Sequence, residues 1–264
     1  MLLSTLIVVL QEILEAALII SLLLVICRLR GASGRWVWPA AIAGAVGAAL
    51  YASLIEEVSL LFDYTGQEIT NAALQLGIYL CLAASALLMG CGTERRERLL
   101  RLTMTLAVSL AVVREGFEIL LYQSGLMASP ELVTPLLVGA TLATGIGASI
   151  GALFYYGLLS VPAAPRRTLT LGLIALFGGN MLSQAALMLI QSDWLPGGAI
   201  LWDSSALLPE DSLAGQLFYA LVGYEATPSL TQAIAYFGGF TLLAGLAAAV
   251  TRRGDNPFTQ DHRP

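Results

Sequence analysis

Two short runs place ionisable side chains inside apolar sequence: Leu10-Gln11-Glu12-Ile13-Leu14-Glu15-Ala16 and Val113-Arg114-Glu115-Gly116-Phe117-Glu118-Ile119. Both fit the pattern [RQ]-E-x-x-E. On a helix, side chains at i and i+3 share a face with Cβ atoms about 5 to 6 Å apart, so each pair is a candidate half-site. Four carboxylates against one guanidinium carry a surplus of negative charge, which apolar surroundings do not tolerate without a bound cation or protonation. A multivalent cation resolves the conflict. Oxygen ligands with no imidazole or sulfur in reach suit a hard ion such as ferric iron, and also ferrous iron, manganese, magnesium or calcium, and disfavour copper(I) and zinc. Glu12, Glu15, Glu115 and Glu118 are therefore candidate metal ligands, with Arg114 as the charge-balancing group.

The elements that position these groups must lie in lipid. Of 264 residues, 57% are hydrophobic and only 12% charged, and the mean hydropathy is +0.79, outside the range of ordinary soluble domains. Seven apolar stretches are long enough to cross a bilayer, at roughly 2–27, 38–60, 68–92, 102–127, 131–160, 168–191 and 229–251, since a span takes about 20 helical residues. The first has no basic start and carries Glu12 and Glu15, so it reads as a retained helix rather than a secretory signal. The fifth holds Gly145, Gly147 and Gly151, which leave a tilt or break open there, although these glycines, like Gly44, Gly47, Gly178 and Gly179, read more simply as packing than as gating. Both carboxylate pairs fall near mid-span. The three cysteines, Cys27, Cys81 and Cys91, form no CxxC and read as packing residues. The single histidine, His262, lies in the polar tail, which leaves no imidazole for intramembrane chemistry.

All thirteen basic residues are arginine. Apart from Arg114 they follow the first span (Arg28, Arg30, Arg35), precede the fourth (Arg95, Arg96, Arg98, Arg101), precede the sixth (Arg166, Arg167) or follow the seventh (Arg252, Arg253, Arg263). In a seven-span chain these segments share one side. The positive-inside rule makes that side cytoplasmic, with the amino terminus outside and the carboxyl terminus inside. Acids collect on the opposite side. Glu56, Glu57, Glu68, Asp203 and Asp211 are candidates for drawing a cation to an outer mouth.

Glu12 and Glu15 recur as Glu115 and Glu118, an offset of 103 residues. The offset maps spans one to three onto spans four to six. Each unit has an odd number of spans, so the second inserts with opposite polarity, giving a 3+3 inverted repeat plus a seventh helix. The expected organisation is one transmembrane permease domain over 1–251, with repeat 1 about 1–92, repeat 2 about 102–191, an outer loop at 192–228 and helix seven at 229–251; a cytoplasmic tail follows at 252–264. The apolar piece from Leu213 to Tyr224 is too short to span and is expected at the interface or folded back over the pore mouth. The i,i+4 pairs Asn71 with Gln75 and Asn180 with Gln184 are pathway candidates, or interhelical hydrogen bonds with no further role.

With these residues in place, the chain resembles the high-affinity iron permease family of bacteria and fungi, also called the oxidase-dependent or iron/lead transporter family. Its hallmark is an R-E-G-L-E type motif in helices one and four. Arg114-Glu115-Gly116-Phe117-Glu118 matches the second copy; the first keeps Glu12 and Glu15 but has Gln11 for arginine and lacks the glycine. Leu201-Trp202-Asp203, Leu208-Pro209, Asp211-Ser212, Gly223-Tyr224 and Pro228-Ser229-Leu230 look like the bacterial branch. The resemblance implies a multi-pass protein of the bacterial cytoplasmic (inner) membrane that takes up iron, Fe2+ or Fe3+, from the periplasmic face through those glutamates. It implies no permanently bound cofactor, and a periplasmic oxidase or iron-binding lipoprotein as partner. Family members often carry further glutamates on helices three and six, where this chain offers Glu68, Asn71, Asn180, Gln184 and Gln191.

The expected function is an iron permease, not an enzyme, with the lipid bilayer and the iron ion as partners and no nucleic acid. Two alternatives stand beside it. One is a proton-coupled carrier of another divalent metal, manganese or lead; the other is a non-transporting sensor or assembly subunit with structural ion pairs.

Overall fold

The computed structural model describes residues 2–89, 94–127, 129–210 and 212–254. Cys91, Asp211, His262 and the tail from residue 255 lie outside the described residues. The described chain is helical: α1 (Leu2–Leu29), α2 (Val37–Ser53), α3 (Ile55–Ser59), α4 (Gly66–Leu88), α5 (Glu94–Met127), α6 (Pro130–Ser160), α7 (Ala163–Gln191), α8 (Leu213–Val222) and α9 (Leu230–Gly254). An isolated bridge pairs Ile200 with Ser229.

Among the described residues, six segments are long and apolar enough to cross a membrane: α1, Gly34–Ser53, and most of α4, α6, α7 and α9. The predicted fourth span, α5, is 34 residues long, about 51 Å of helix. Arg114, Glu115 and Glu118 in its interior, with the charged turns from Glu94 to Arg101, remove it from that class by composition.

The predicted second span is interrupted. Its helix stops at Ser53, Leu54 leaves helical geometry, and α3 restarts with Glu56 and Glu57 in its first turn, where the helix dipole favours acids. Phe62, Asp63 and Tyr64 then turn with positive φ, and α4 begins at Gly66, where a Cβ would collide with the Val58 carbonyl oxygen. Gly66→Ala is expected to destabilise the protein by about 2 kcal/mol, the scale of an overpacked contact. Thermal unfolding in detergent checks it. Gly125→Ala, with nothing within 4 Å of the added carbon, serves as the neutral control.

The expected break in the fifth span does not occur: α6 runs unbroken through Gly145, Gly147 and Gly151. Lipid offers no partner to freed backbone groups, so the ladder stays intact. Two of these glycines serve close packing, the simpler of the two expectations. A Cβ at Gly147 would press on Ile13, and one at Gly151 on Ala17, so α6 lies tightly along α1. In the same way, Gly44 and Gly47 of α2 meet Val112 and Val113 of α5.

Helix α1 packs chiefly on α6, and α2 on α5; α4 lies between α5 and α7, and α9 covers α7 and α4. The main apolar core joins Leu18, Leu22 and Ile26 of α1 to Ile78 and Leu82 of α4, Met104 and Val108 of α5, and Ile174 of α7. A smaller cluster joins Val9, Leu10 and Leu14 of α1 to Ala143 of α6 and Ala220 of α8. Glu12 and Glu15 sit at the junction of these clusters along α1.

The apolar piece of the 192–228 loop folds back into the bundle. The Ser212 side chain caps α8 by accepting from the Gly215 amide at 3.0 Å. Its other end closes on Gly223, whose φ of 67° is left-handed and where a Cβ would overlap Asn180 of α7; glycine meets both demands.

Candidate cation site

All four glutamates of the repeated motif surround one guanidinium. Nη1 of Arg114 lies 2.6 Å from Glu115 Oε2, 2.9 Å from Glu15 Oε2 and 3.9 Å from Glu12 Oε2. Its Nη2 is 3.2 Å from Glu118 Oε1, one helical turn along α5. The helical offset aligns Glu115 and Glu118 on one face of α5, and the crossing of α1 and α5 brings Glu12 and Glu15 opposite them. Arginine suits this position because its planar fork donates in several directions and keeps its charge when buried.

Glu15 and Glu115 are each only 1% exposed, Arg114 5% and Glu12 7%. The Glu118 side chain is 30% exposed, the most of the four. Glu12 Oε2, Glu15 Oε1, Glu115 Oε1 and Arg114 Nε are buried with no hydrogen-bond partner. Buried acceptors without a hydrogen bond invite a further cation or proton. Among the described residues, no group of three or more His, Cys, Asp or Glu side chains is spaced to hold a metal ion. The physical reason is in view: the carboxylates are disposed around Arg114 and do not converge on an open point.

A cleft of about 440 Å3 leads to this cluster, lined by Glu12, Gln67, Glu68, Asn71, Glu118, Tyr122 and Gln191, with Val8, Leu121 and Met188. These residues belong to the first third of α1, the start of α4, the end of α5 and the end of α7. In an alternating bundle that is one end, opposite the arginine-rich segments. Toward the other end lies the packed apolar core described above.

The sequence-predicted polar residues divide. Asn71 lines the cleft and accepts from the Tyr51 hydroxyl at 3.2 Å. Gln75 Nε2 donates to Gln184 Oε1 at 2.6 Å, both side chains buried deeper than Asn71. Asn180 lies against Gly223 instead, away from the cleft lining. Of the acids expected at an outer mouth, Glu68 lines the cleft, with Oε2 buried and unpartnered. Glu56 and Glu57 stand exposed on α3, outside the lining. Asp203 accepts from the Ser205 amide at 3.0 Å and from its hydroxyl at 2.5 Å. Those two bonds hold its carboxyl below the usual aspartate range and commit it to its own turn.

Sequence reading missed two tyrosines. Tyr51 of α2 stacks on Phe117 with ring centroids 3.8 Å apart, bracing the residue between Glu115 and Glu118. Tyr219 of α8 lies within electrostatic range of Glu15 and Arg114. The signal available for Tyr51 was a hydroxyl inside an apolar span; Tyr219 depends on a fold-back that local sequence does not specify.

No solved structure matches the chain. It is 29% identical over 176 residues to the uncharacterized protein slr0964 of Synechocystis sp., an alignment covering 58% of this chain and 56% of that protein. The profile of the Iron permease FTR1 family matches residues 2–251. Multi-pass helices and a match over nearly the whole chain lead to one statement: this protein belongs to the Iron permease FTR1 family.

Proposed function

We propose that the chain carries iron inward across a bacterial cytoplasmic membrane through a midplane site formed by Glu12, Glu15, Glu115 and Glu118. The observation that carries this reading is the gathering of all four carboxylates at the closed end of a cleft that reaches solvent. Family membership supplies iron as the cargo.

In this reading α5 is the fourth span and completes a set of seven, packed against α1, α2 and α4, and the charges that mark it out are those of the transport site. Two features support an inverted repeat. The pairings α1 with α6 and α5 with α2 exchange under the repeat, and Gly44 and Gly147, also 103 residues apart, each sit at a close approach within one of the two pairs. Gln75 and Gln184, each four residues after an asparagine in the third helix of its half, touch one another, as residues beside a pseudo-two-fold axis would. The arginine-rich ends face the cytoplasm.

Iron then enters the cleft past Glu68, exchanges water for Glu118 and Glu12, and reaches Glu15 and Glu115. Release inward requires the repeats to rock and part the core around Leu22, Ile78, Leu82 and Met104. A periplasmic oxidase or iron-binding lipoprotein delivers the ion.

The test is iron-55 uptake into proteoliposomes. The native chain is expected to accumulate the isotope, and uptake of manganese or lead with no response to iron would favour the other carrier reading. Glu68→Gln is expected to raise the apparent KM for iron about threefold to tenfold with little change in maximal rate, the behaviour of a group that concentrates a cation without holding it in the transfer step. A structural reading also has a specific observation behind it, since Arg114 ties α5 to α1 through the same carboxylates. It predicts no uptake by the native chain.

A further inference from the structure

Among the described residues, Arg114 is the basic group that lies within ion-pair distance of all four carboxylates, and it stands between them. We propose that Arg114 is a tethered stand-in for the transported ion and the residue that sets charge selectivity: a cation enters the site only by displacing the guanidinium, which a monovalent ion cannot do. This rests on the permease reading and adds a role for Arg114 that the reading does not require.

An empty site of four buried carboxylates repels itself, and the guanidinium relieves that repulsion from within the chain. It does so incompletely, because one oxygen each of Glu12, Glu15 and Glu115, and Arg114 Nε, remain buried and unpartnered. A monovalent ion arriving from the cleft offers no more charge than the guanidinium it would replace and none of its hydrogen-bond geometry. A divalent or trivalent ion offers more charge and ligates oxygens that the arginine leaves unmet.

Geometry permits the exchange. Glu118 contacts Nη2 and also lines the cleft, so a cation docking on Glu118 weakens one of the arginine's anchors before reaching Glu15 and Glu115. Gln11, the residue that corresponds to Arg114 in the first repeat, carries no charge, so a single side chain serves both halves. Return of the guanidinium after release resets the site.

The experiment measures Mn2+ binding by calorimetry in nanodiscs for the native chain, Arg114→Gln and Arg114→Lys, in choline chloride and in sodium chloride of equal ionic strength. Choline is too large to enter the cluster and controls for screening. Arg114→Gln is expected to bind Mn2+ at least about tenfold more tightly in choline, one order of magnitude being the effect of removing one modest competing interaction. Its affinity is expected to fall when sodium replaces choline, whereas the native chain and Arg114→Lys show no such difference. Native or weaker affinity in folded Arg114→Gln, or equal indifference to sodium, overturns the proposal. If Arg114→Gln does not fold, the charge-balanced pair Arg114→Gln with Glu115→Gln carries the sodium-against-choline readout alone, because Glu115 is itself a proposed ligand: Mn2+ affinity that falls in sodium supports the proposal, and indifference to sodium overturns it. Native iron-55 uptake separates the levels. Uptake with an indifferent Arg114→Gln removes the stand-in role alone, and absent uptake removes the permease reading and this inference with it.

Discussion

Iron-55 uptake is expected to fall at least about tenfold in Glu15→Ala and in Glu118→Ala, with Glu118→Ala keeping native amounts of folded protein. Even an outer-shell partner of a metal ligand is worth roughly 10- to 100-fold, and a direct ligand at least as much. The two positions test different things. Glu15 is 1% exposed and bonded to Arg114 at 2.9 Å, so its removal takes away a ligand and an anchor between α1 and α5 together. Glu118 is 30% exposed on the cleft, and surface-accessible pairs contribute little to stability. Loss of uptake in Glu118→Ala at unchanged protein level therefore reports on transport alone. If both variants transport normally, these glutamates are not the route; if both merely reduce folded protein, the structural ion-pair reading gains.

The second large effect concerns access. In a background with Cys27, Cys81 and Cys91 replaced by serine, Glu118→Cys and Gln191→Cys are expected to react with a membrane-impermeant methanethiosulfonate added outside intact spheroplasts. Ser85→Cys, at a position 0% exposed within the packed end of the bundle, is expected to react at least about tenfold more slowly, since thiol reactivity follows exposure. Arg98→Cys, on the charged start of α5, is expected to react only after the membrane is opened. Labelling of Arg98→Cys from outside would reverse the orientation, and equal labelling of Ser85→Cys and Glu118→Cys would mean the cleft is not closed at the arginine-rich end.

Much of the candidate site was legible because lipid makes ionised groups conspicuous. Two carboxylate pairs inside apolar runs, repeated at one spacing, stand out in any reading of the chain, and the structure brings all four together. What lay beyond sequence was register between helices. That Arg114 reaches across to Glu12 and Glu15 depends on how closely α1 and α5 cross, and no local pattern encodes that distance. Glycines show the same limit. Gly147 and Gly151 read as packing residues, but that they meet Ile13 and Ala17 of α1 along a continuous α6 is a matter of register that sequence does not carry. Hydropathy alone ran the second span through to residue 60, because Leu54 to Leu61 is apolar enough to hide the stop at Ser53. The acids of the outer side were legible as a group but not individually: only position in space separates Glu68, which lines the cleft, from Glu56, Glu57 and Asp203, which do not.

Helix α8 carries the same lesson in a form that bears on mechanism. Its length excludes a span, which sequence reading could state. Its seat against α1, with Ala220 packed on the Val9 to Leu14 cluster and Gly223 against Asn180, is a tertiary fact. It brings Tyr219 toward Glu15 and makes the long loop part of the wall around the carboxylates.

The most direct test of the central claim, that a positive ion passes mid-bilayer among these four carboxylates, is an anomalous difference map recorded at the iron edge on crystals of the iron-loaded protein. The account predicts a peak between Glu15 and Glu115, within oxygen-ligand distance of both pairs. A peak confined to the outer-loop acids, or no peak in fully loaded crystals while the four glutamates remain clasped on Arg114, would contradict it.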